Sequence, residues 1–316
     1  MSENIPFISA ETIDRALDYP SLVDALQKAF VGNWTVPVRH HHGIPMPNGE
    51  PEQTLLLMPA WDAGHSVGVK MVTITPGNGA RGIPAVQGIY LLLDGLTGAP
   101  KALMEGKQLT VRRSAAASAL AAKFCARPDS TSHLMVGTGA LSQPLIEAHR
   151  AVHPIARSRI WGRDFAKTEI YAGKLSRLGL KVEPVRDLEA AAREADIISC
   201  ATLSTGPLIK GAWLKPGAHL DLVGAYLPEM RESDDAAVKR ATIFVDTRGG
   251  ALKEGGDIVQ PLKAGVIKET DIAADLFDLC RGKHKGRKSA DEITLFKSVG
   301  TAVEDLAAAQ LMLQRM

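Results

Sequence analysis

The chain has 316 residues, of which 45% are hydrophobic and 23% are charged, and this length predicts two domains that each bury a core. The 37 Lys and Arg residues nearly balance the 35 Asp and Glu residues, and the net charge of +2 argues against nucleic acid or an anionic membrane as the main partner. Three cysteines cannot form a disulfide framework. No secretory signal and no apolar stretch of about 18 residues is evident, so we expect a soluble, cytoplasmic protein.

The N-terminal third of the chain predicts one helix and then several strands. A short strand at 6–8 precedes a helix that Ser9 or Thr12 is expected to cap, with an apolar face at Ile13, Leu17, Leu22, Leu26 and Phe30. Strands separated by Pro/Gly-rich turns are predicted at 54–58, 67–74 and 89–94. Consecutive strands without helices between them indicate a mixed or antiparallel sheet. An Ala-rich helix at 110–124 leaves this sheet.

After Pro128 the pattern changes to alternating strands and helices, which indicates a parallel, doubly wound sheet. The predicted strands are 133–136, 159–161, 181–185, 197–201, 218–223 and 242–245. The predicted helices are 141–153, 167–178 and 188–194. The last stretch, 302–313, is an amphipathic helix too short to be a domain, so it must dock on one of the two.

The most specific local motif is the turn Gly137-Thr138-Gly139, which directly follows a strand and opens a helix. In a dinucleotide-binding fold, the first glycine makes the tight turn and the second lets the backbone approach the pyrophosphate. The helix N-terminus then offers unpaired N–H groups to the phosphates. Ser142 stands at the third glycine position and is small enough for close packing. We predict a nucleotide site here; the alternative is a tight turn in a ligand-free α/β fold.

The end of the second strand of this domain indicates which nucleotide is bound. An NAD site usually has Asp or Glu there, which accepts hydrogen bonds from the ribose 2′-OH. Arg163 takes that place, and its guanidinium suits a 2′-phosphate in charge and geometry. Asp164 follows and is able to serve a ribose, so NADH stays an alternative to NADPH, which we favour. A solvated arginine in a loop is the other interpretation of Arg163.

Three basic residues of the first domain form a potential carboxylate site. Arg39 precedes three histidines, Lys70 lies in an apolar strand, and Arg112 begins the Ala-rich helix with Arg113 beside it. A lysine in such a strand is costly to bury without an anionic partner, so Lys70 either points to water at an edge or binds a ligand. If the fold brings Arg39, Lys70 and Arg112 together, they form a clamp for a carboxylate.

The run His40–His42 raises the question of a metal site, because imidazoles are common zinc ligands. No second cluster of His, Cys or carboxylate residues has ligand spacing. We therefore predict no metal and assign the run to a wet loop or to the lining of a substrate pocket.

Several segments together resemble, in the same order along the chain, the ornithine cyclodeaminase/mu-crystallin family of NAD(P)-binding proteins. They are 57–60, 68–70 with 76–78, 82–88, 109–116, 136–139 and 296–305. The resemblance runs from the N-terminal helix to the C-terminal one. It implies a homodimer in which an α+β substrate-binding and dimerisation domain, 1–115 completed by 300–316, carries an inserted Rossmann-type NAD(P)-binding domain, 116–299.

The resemblance also implies roles for individual residues. Arg39, Lys70 and Arg112 match the family's substrate-carboxylate clamp, with Lys70 and Arg112 as the catalytic pair. Ser298 and Gly300 lie beside the nicotinamide, where Gly300 also borders the substrate. The cofactor contacts are assigned to Gly137, Gly139, Ala140, Leu141, Gly162, Arg163, Thr202 and Ser298.

One departure from the family pattern bears on the chemistry. Cyclodeaminases of the family carry an Asp in a Gly-Gly-Asp-x-Pro-Gly turn, where it handles the side-chain amine of the substrate. Tyr226 stands at that position here, and a neutral phenol cannot act as a carboxylate base or pair with an ammonium near neutral pH. We therefore predict that ornithine cyclisation is absent.

The resemblance then points to the imine-reducing branch, which acts on Δ1-pyrroline-2-carboxylate and Δ1-piperideine-2-carboxylate. The basic residues would fix the carboxylate of a cyclic α-imino acid while hydride passes from NADPH to C2 and the ring nitrogen is protonated, giving L-proline or L-pipecolate. The proton donor stays open. The alternatives are an ornithine cyclodeaminase, an alanine-dehydrogenase-like amino-acid dehydrogenase, and a crystallin-like protein that binds NADPH without turnover.

Overall fold

A computed structural model describes residues 4–316 and divides the chain into two units. The first unit comprises the chain up to Arg113 together with Thr301–Met316, and the second comprises Ser114–Gly300. Among residues 4–316, no helix combines the length and the apolar character that crossing a membrane requires.

Strands and helices are numbered here in chain order. The strands are β1 (Phe7–Ile8), β2 (His40–Ile44), β3 (Gln53–Asp62), β4 (Ser66–Ile74), β5 (Val86–Asp94), β6 (Pro100–Glu105), β7 (Ser132–Val136), β8 (Arg157–Trp161), β9 (Glu183–Pro184), β10 (Ile197–Cys200), β11 (His219–Leu222), β12 (Thr242–Val245), β13 (Ile272–Asp275) and β14 (Thr294–Lys297). The α-helices are α1 (Ala10–Ala16), α2 (Tyr19–Val31), α3 (Gly106–Cys125), α4 (Ser142–Val152), α5 (Phe165–Arg177), α6 (Leu188–Glu194), α7 (Asp235–Arg240), α8 (Arg248–Glu254), α9 (Gly256–Lys263), α10 (Leu276–Cys280) and α11 (Ala302–Gln314).

The single helix predicted after the first strand is instead two helices, α1 and α2. The side chain of Ser9 caps α1 by accepting a hydrogen bond from the N–H of Thr12. Asp18 caps α2 by accepting from the N–H of Ser21, and Pro20 stands in the first turn. A proline inside one continuous helix would clash with the carbonyl four residues earlier and remove a hydrogen bond, so the chain ends one helix and begins another.

The first unit is built on a six-stranded sheet in the order β1-β6-β5-β4-β3-β2. Strands β2 to β6 pair antiparallel, and β1 adds to β6 in parallel. Helix α11 packs against β3, β4 and α2. Gly68 is required on the face of β4 that carries Lys70, because a Cβ there would lie 1.8 Å from the hydroxyl oxygen of Tyr90. The buried side chains of this face include Met58, Ala60, Lys70, Tyr90, Leu92 and Met104.

The second unit is built on an eight-stranded, entirely parallel sheet in the order β13-β12-β14-β11-β10-β7-β8-β9. From β7 the chain runs outward through β8 to β9 and then crosses to β10 and β11 on the other side. The direction thus reverses between β7 and β10, and in such sheets the ligand crevice lies outside the carboxyl ends of the strands at this point. The architecture confirms the predicted Rossmann-type doubly wound parallel sheet.

A buried carboxylate ties several elements of the second unit together. Asp221 on β11 accepts hydrogen bonds from the hydroxyls of Ser118 on α3 and Ser199 on β10, at 2.9 and 2.7 Å. The Nε2 atom of His149 on α4 lies 3.1 Å from the same carboxylate. Burial alone would raise the pKa of Asp221, but its contact with His149 is the main cause that holds the pKa below its ordinary value. The partners therefore keep this core carboxylate ionised.

Candidate active site

The glycine turn at the end of β7 has the geometry that a dinucleotide fold requires. Gly137 has a φ of +120°, and a Cβ at this position would lie 2.7 Å from the carbonyl oxygen of Ala201. No other residue fits there without displacing the backbone. The N–H of Gly137 donates to the carbonyl of Trp161 at 2.8 Å, and the hydroxyl of Ser142 donates to the carbonyl of Gly137 at 2.9 Å. The turn is thus held to β8 on one side and to α4 on the other.

A cleft of about 290 Å³ opens beside this turn at the carboxyl ends of β7, β8 and β10. Five of the predicted cofactor residues line it: Gly137, Gly139, Gly162, Arg163 and Thr202. The remaining lining residues, which the sequence did not single out for this site, are Thr138, Trp161, Ala201, Leu203, Ser204 and Leu208. A Cβ at Gly139 would meet nothing within 4 Å, so open space lies directly over the second glycine.

Arg163 and Asp164 differ in how they are engaged. Arg163 is exposed in the cleft, and its guanidinium makes no hydrogen bond or ion pair with any residue in the described range 4–316. Asp164 is the N-cap of α5, where its carboxylate accepts a hydrogen bond from the N–H of Lys167 at 3.1 Å. This hydrogen bond lowers the pKa of Asp164. The arginine is thus open to a ligand, whereas the aspartate already has a structural role.

Four other predicted residues, Ala140, Leu141, Ser298 and Gly300, do not line this cleft. Ala140 and Leu141 lie at the start of α4 but are absent from its wall. The carboxylate of Asp246 holds the segment after β14, because it accepts hydrogen bonds from the N–H of Gly300 at 2.6 Å and from the hydroxyl of Ser298 at 3.3 Å. Gly300 has a φ of +80°, which favours glycine at this position.

The first unit contains a buried group of charges around Lys70. The Nζ atom of Lys70 lies 3.0 and 2.9 Å from the two carboxylate oxygens of Asp305 on α11. Arg113 on α3 binds the same carboxylate at 2.9 Å and that of Glu304 at 2.5 Å. Lys70 does not point to water: it is buried and has an anionic partner, as its position in an apolar strand demands.

The electrostatic environment of Lys70 also includes Arg39. Burial is the main cause that lowers the pKa of Lys70 from 10.5 to about 8, and the charges of Arg113 and Arg39 lower it further. Asp305 acts in the opposite direction and keeps the pKa from falling more. Arg39, Lys70 and Arg113 therefore form one basic neighbourhood in the first unit.

Arg112, the other arginine of the predicted clamp, contacts a different set of residues from Arg113. Its guanidinium donates to the carbonyl of Leu17, lies 3.3 Å from Asp14 and stacks 4.2 Å from the ring centre of Tyr19. Successive helical residues point about 100° apart, so Arg112 and Arg113 cannot face the same site. The helical period indicates that the two arginines point in different directions, but only the structure shows that Arg113 is the one that contacts Asp305.

The three histidines lie on a strand rather than in a loop. Residues His40–Ile44 form β2, the exposed edge strand of the first sheet, and pair with β3. Within residues 4–316, no three His, Cys, Asp or Glu side chains are grouped so that they could hold a metal ion.

The whole chain was compared with known protein families. The model of the ornithine cyclodeaminase/mu-crystallin family matches residues 7–316. The chain belongs to this family. This match confirms the family membership that the sequence motifs predicted.

Three similar proteins illustrate how far the likeness extends. A Δ1-pyrroline-2-carboxylate reductase of Paracoccus denitrificans is 39% identical over 269 residues, which cover 85% of each chain. The structure of Thermococcus litoralis Δ1-pyrroline-2-carboxylate reductase with NADH and L-proline is 32% identical with a TM-score of 0.90, and the match covers 98% of this chain and 97% of that one. The structure of an archaeal alanine dehydrogenase dimer with bound NAD is 28% identical with a TM-score of 0.89, covering 98% and 95%.

Tyr226, for which the sequence resemblance predicts the position of the cyclodeaminase Asp, lies in the turn after β11. The preceding residue, Ala225, has a φ of +43°, so the backbone there is in the left-handed region. Partial burial and then the charge of Glu229 raise the pKa of Tyr226 above its ordinary value. The phenol is therefore neutral near neutral pH, which agrees with the argument made from the sequence.

Proposed function

We propose that this protein is an NADPH-dependent reductase of cyclic α-imino acids, acting on Δ1-pyrroline-2-carboxylate, Δ1-piperideine-2-carboxylate or both. The observation that carries the proposal is the match over 98% of the chain to a reductase whose structure holds NADH and L-proline. In the reaction, hydride adds to C2 of the imine and a proton adds to the ring nitrogen, so one NADPH and one proton are consumed for each amino acid formed.

For the cofactor, we propose that the cleft of the second unit holds the dinucleotide. The open space over Gly139 and the left-handed turn at Gly137 support a pyrophosphate at the N-terminus of α4. When bound, the dihydronicotinamide supplies the hydride. Arg163, which is unengaged in residues 4–316, would bind the 2′-phosphate of NADPH, and this favours NADPH over NADH because Asp164 is occupied as a helix cap. Ser298 is proposed for the nicotinamide end.

For the substrate, we propose that Lys70 and Arg39 bind the carboxylate, with Arg113 in place of Arg112. These cations share one neighbourhood, and Asp305 keeps Lys70 and Arg113 in place at 2.9 to 3.0 Å. A desolvated cation binds a carboxylate more strongly than an exposed one. Gly300 remains a candidate for the substrate wall.

An assay of NADPH oxidation with several substrates separates this proposal from its alternatives. With purified protein, NADPH oxidation should be fast with Δ1-pyrroline-2-carboxylate or its six-membered homologue. Oxidation should be slow with pyruvate plus ammonium, which tests the alanine-dehydrogenase alternative. Ornithine with NAD⁺ should release no ammonia, because Tyr226 replaces the carboxylate of the cyclodeaminases. Tight NADPH binding without reduction of any imine would instead support the crystallin-like alternative.

We further propose that the protein is a homodimer through the outer face of the first sheet. Strand pairing places Leu57 opposite Met71 and Val69 opposite Leu91, so these apolar side chains share one face, and Lys70 lies on the other. Met71 is 39% and Ile89 37% exposed in the single chain. A broad apolar sheet face of this kind marks an interaction surface, and the related archaeal enzyme is a dimer.

Multi-angle light scattering should give twice the chain mass of 33.7 kDa. Met71→Glu should shift the protein to monomer, because a charge in the interface would be desolvated without a partner. Leu96→Glu, on the exposed turn between β5 and β6, is the matched control and should remain dimeric. A dimer that withstands Met71→Glu would place the interface elsewhere.

A further inference from the structure

Three buried charged residues lie beneath the carboxyl edge of the second sheet. Asp257 on α9 accepts hydrogen bonds from the N–H groups of Glu232 and Ser233, at 2.8 and 2.9 Å. The Nζ atom of Lys297, the last residue of β14, lies 3.4 Å from Asp257 and donates to the carbonyl of Gly224 after β11. Glu232, Asp257 and Lys297 are all fully buried. The pair of Asp257 and Lys297 therefore fixes the backbone that carries Glu232.

Glu232 reaches from this cluster to the wall of the cleft. Its Oε1 atom accepts hydrogen bonds from the N–H of Thr202 at 2.6 Å and from the hydroxyl of Thr202 at 2.8 Å. Gly224 makes room for this carboxylate, because a Cβ there would lie 2.3 Å from Oε1. The other carboxylate oxygen, Oε2, is buried and has no hydrogen-bond partner among residues 4–316. A single carboxylate thus spans the turns that follow β10 and β11.

We propose that Glu232 is a positioning residue for dinucleotide binding, which it promotes by holding Thr202 in the cleft wall. Glu232 itself does not line the cleft, so it acts through Thr202. The inference rests on the proposed function, since it assumes that the cleft binds the dinucleotide. Two hydrogen bonds to one ionised carboxylate hold the first residues after β10 more firmly than neutral acceptors would.

The raised pKa of Glu232 predicts that the strength of this contact changes with pH near neutrality. Burial raises the pKa of Glu232 to about 7; the charge of Lys297 lowers it, and that of Asp257 raises it. Within the described range 4–316, the thiol of Cys200 on β10 also lies in the electrostatic environment of Glu232. Burial raises the pKa of this thiol, so that it is uncharged. Glu232 is ionised above about pH 7 and loses its charge below it. Dinucleotide affinity should therefore be higher on the alkaline side and fall as the pH drops through this range.

NADH is the suitable probe, because it lacks the 2′-phosphate, a monoester that itself titrates near pH 6. Its Kd, measured by fluorescence titration, should rise roughly fivefold for the wild type between about pH 8 and pH 6. In Glu232→Gln the Kd should be raised by about the same factor at pH 8 and should no longer change with pH. Glu229→Gln removes an exposed carboxylate from the same loop and should behave like the wild type.

Retention of the full pH dependence in Glu232→Gln, or an NADH Kd at pH 8 that Glu232→Gln leaves unchanged, would overturn the inference. If the wild type bound neither NADH nor NADPH, the proposed function would fail and this inference with it. Thr202→Val tests the same contact if Glu232→Gln does not fold. It removes the hydroxyl but keeps the N–H, so NADH binding should weaken about threefold while the pH dependence persists. Unchanged NADH binding in Thr202→Val would also overturn the inference.

Discussion

Replacing Lys70 by Met is expected to lower kcat/KM for a cyclic α-imino acid about a thousandfold, because the substrate carboxylate would lose a charge-assisted contact in a desolvated site. Asp305 keeps Arg113 as a partner at 2.9 Å, so the remaining charges stay paired. Steady-state kinetics with NADPH measure the effect. NADPH binding should remain unchanged. Lys101→Met, on β6, removes a partly exposed lysine that pairs with Asp94, and it should change kcat/KM by less than about twofold.

Lys70 should also make carboxylate binding weaker at alkaline pH. The cation is the form that binds, and because burial lowers the pKa of Lys70 to about 8, this form is lost as the pH rises through that value. The inhibition constant of pyrrole-2-carboxylate, whose ring nitrogen does not titrate in this range, should rise about tenfold per pH unit above pH 8. Lys70→Arg should abolish this rise, since arginine stays charged. An inhibition constant that is flat to about pH 9.5 in the wild type would contradict the role of Lys70.

Arg163→Ala is expected to weaken NADPH binding about a hundredfold and to change NADH binding by less than about threefold. In the proposed binding mode the guanidinium contacts only the 2′-phosphate, which NADH lacks, so the loss should be specific to one cofactor. Fluorescence titration with each dinucleotide gives both constants. Arg177→Ala, on an exposed arginine in the last turn of α5, is the control for charge and should leave both constants unchanged. Equal losses for NADPH and NADH would show that Arg163 does not read the 2′-phosphate.

Local sequence patterns predicted most of the strands and helices of the first 245 residues. Where the observed bounds differ from the predicted ones, the cause lies in nearby residues. The predicted strand at 181–185 is only Glu183–Pro184, at the edge of the sheet, since proline has no N–H to continue the pairing. Helix α5 begins at Phe165, two residues earlier than predicted, because Asp164 caps it. Strand β6 was missed: its six residues follow Pro/Gly-rich sequence and are too few for a clear alternation.

The site was predictable where one segment carries it and not where distant segments meet. The glycine turn and Arg163 line the cleft as their positions relative to β7 and β8 indicate. The counter-charge of Lys70, Asp305, comes from the C-terminal helix, and no spacing rule relates the two. Glu232 likewise meets Thr202 from 30 residues away. The tertiary fold brings such distant residues into contact. The sequence alone therefore shows that charged residues are present but not which of them contact one another.

The contact between Lys70 and Asp305 spans 235 residues, and this has a consequence for synthesis of the chain. A nascent chain emerges from its N-terminus, and long-range contacts form late. The second unit, Ser114–Gly300, is complete before α11 has been made, whereas the first sheet keeps its inner face and Lys70 uncovered until then. The unit that begins with the first residues translated is therefore the last to be completed, and a chain that stops short of Thr301 contains the whole of the second unit but not of the first.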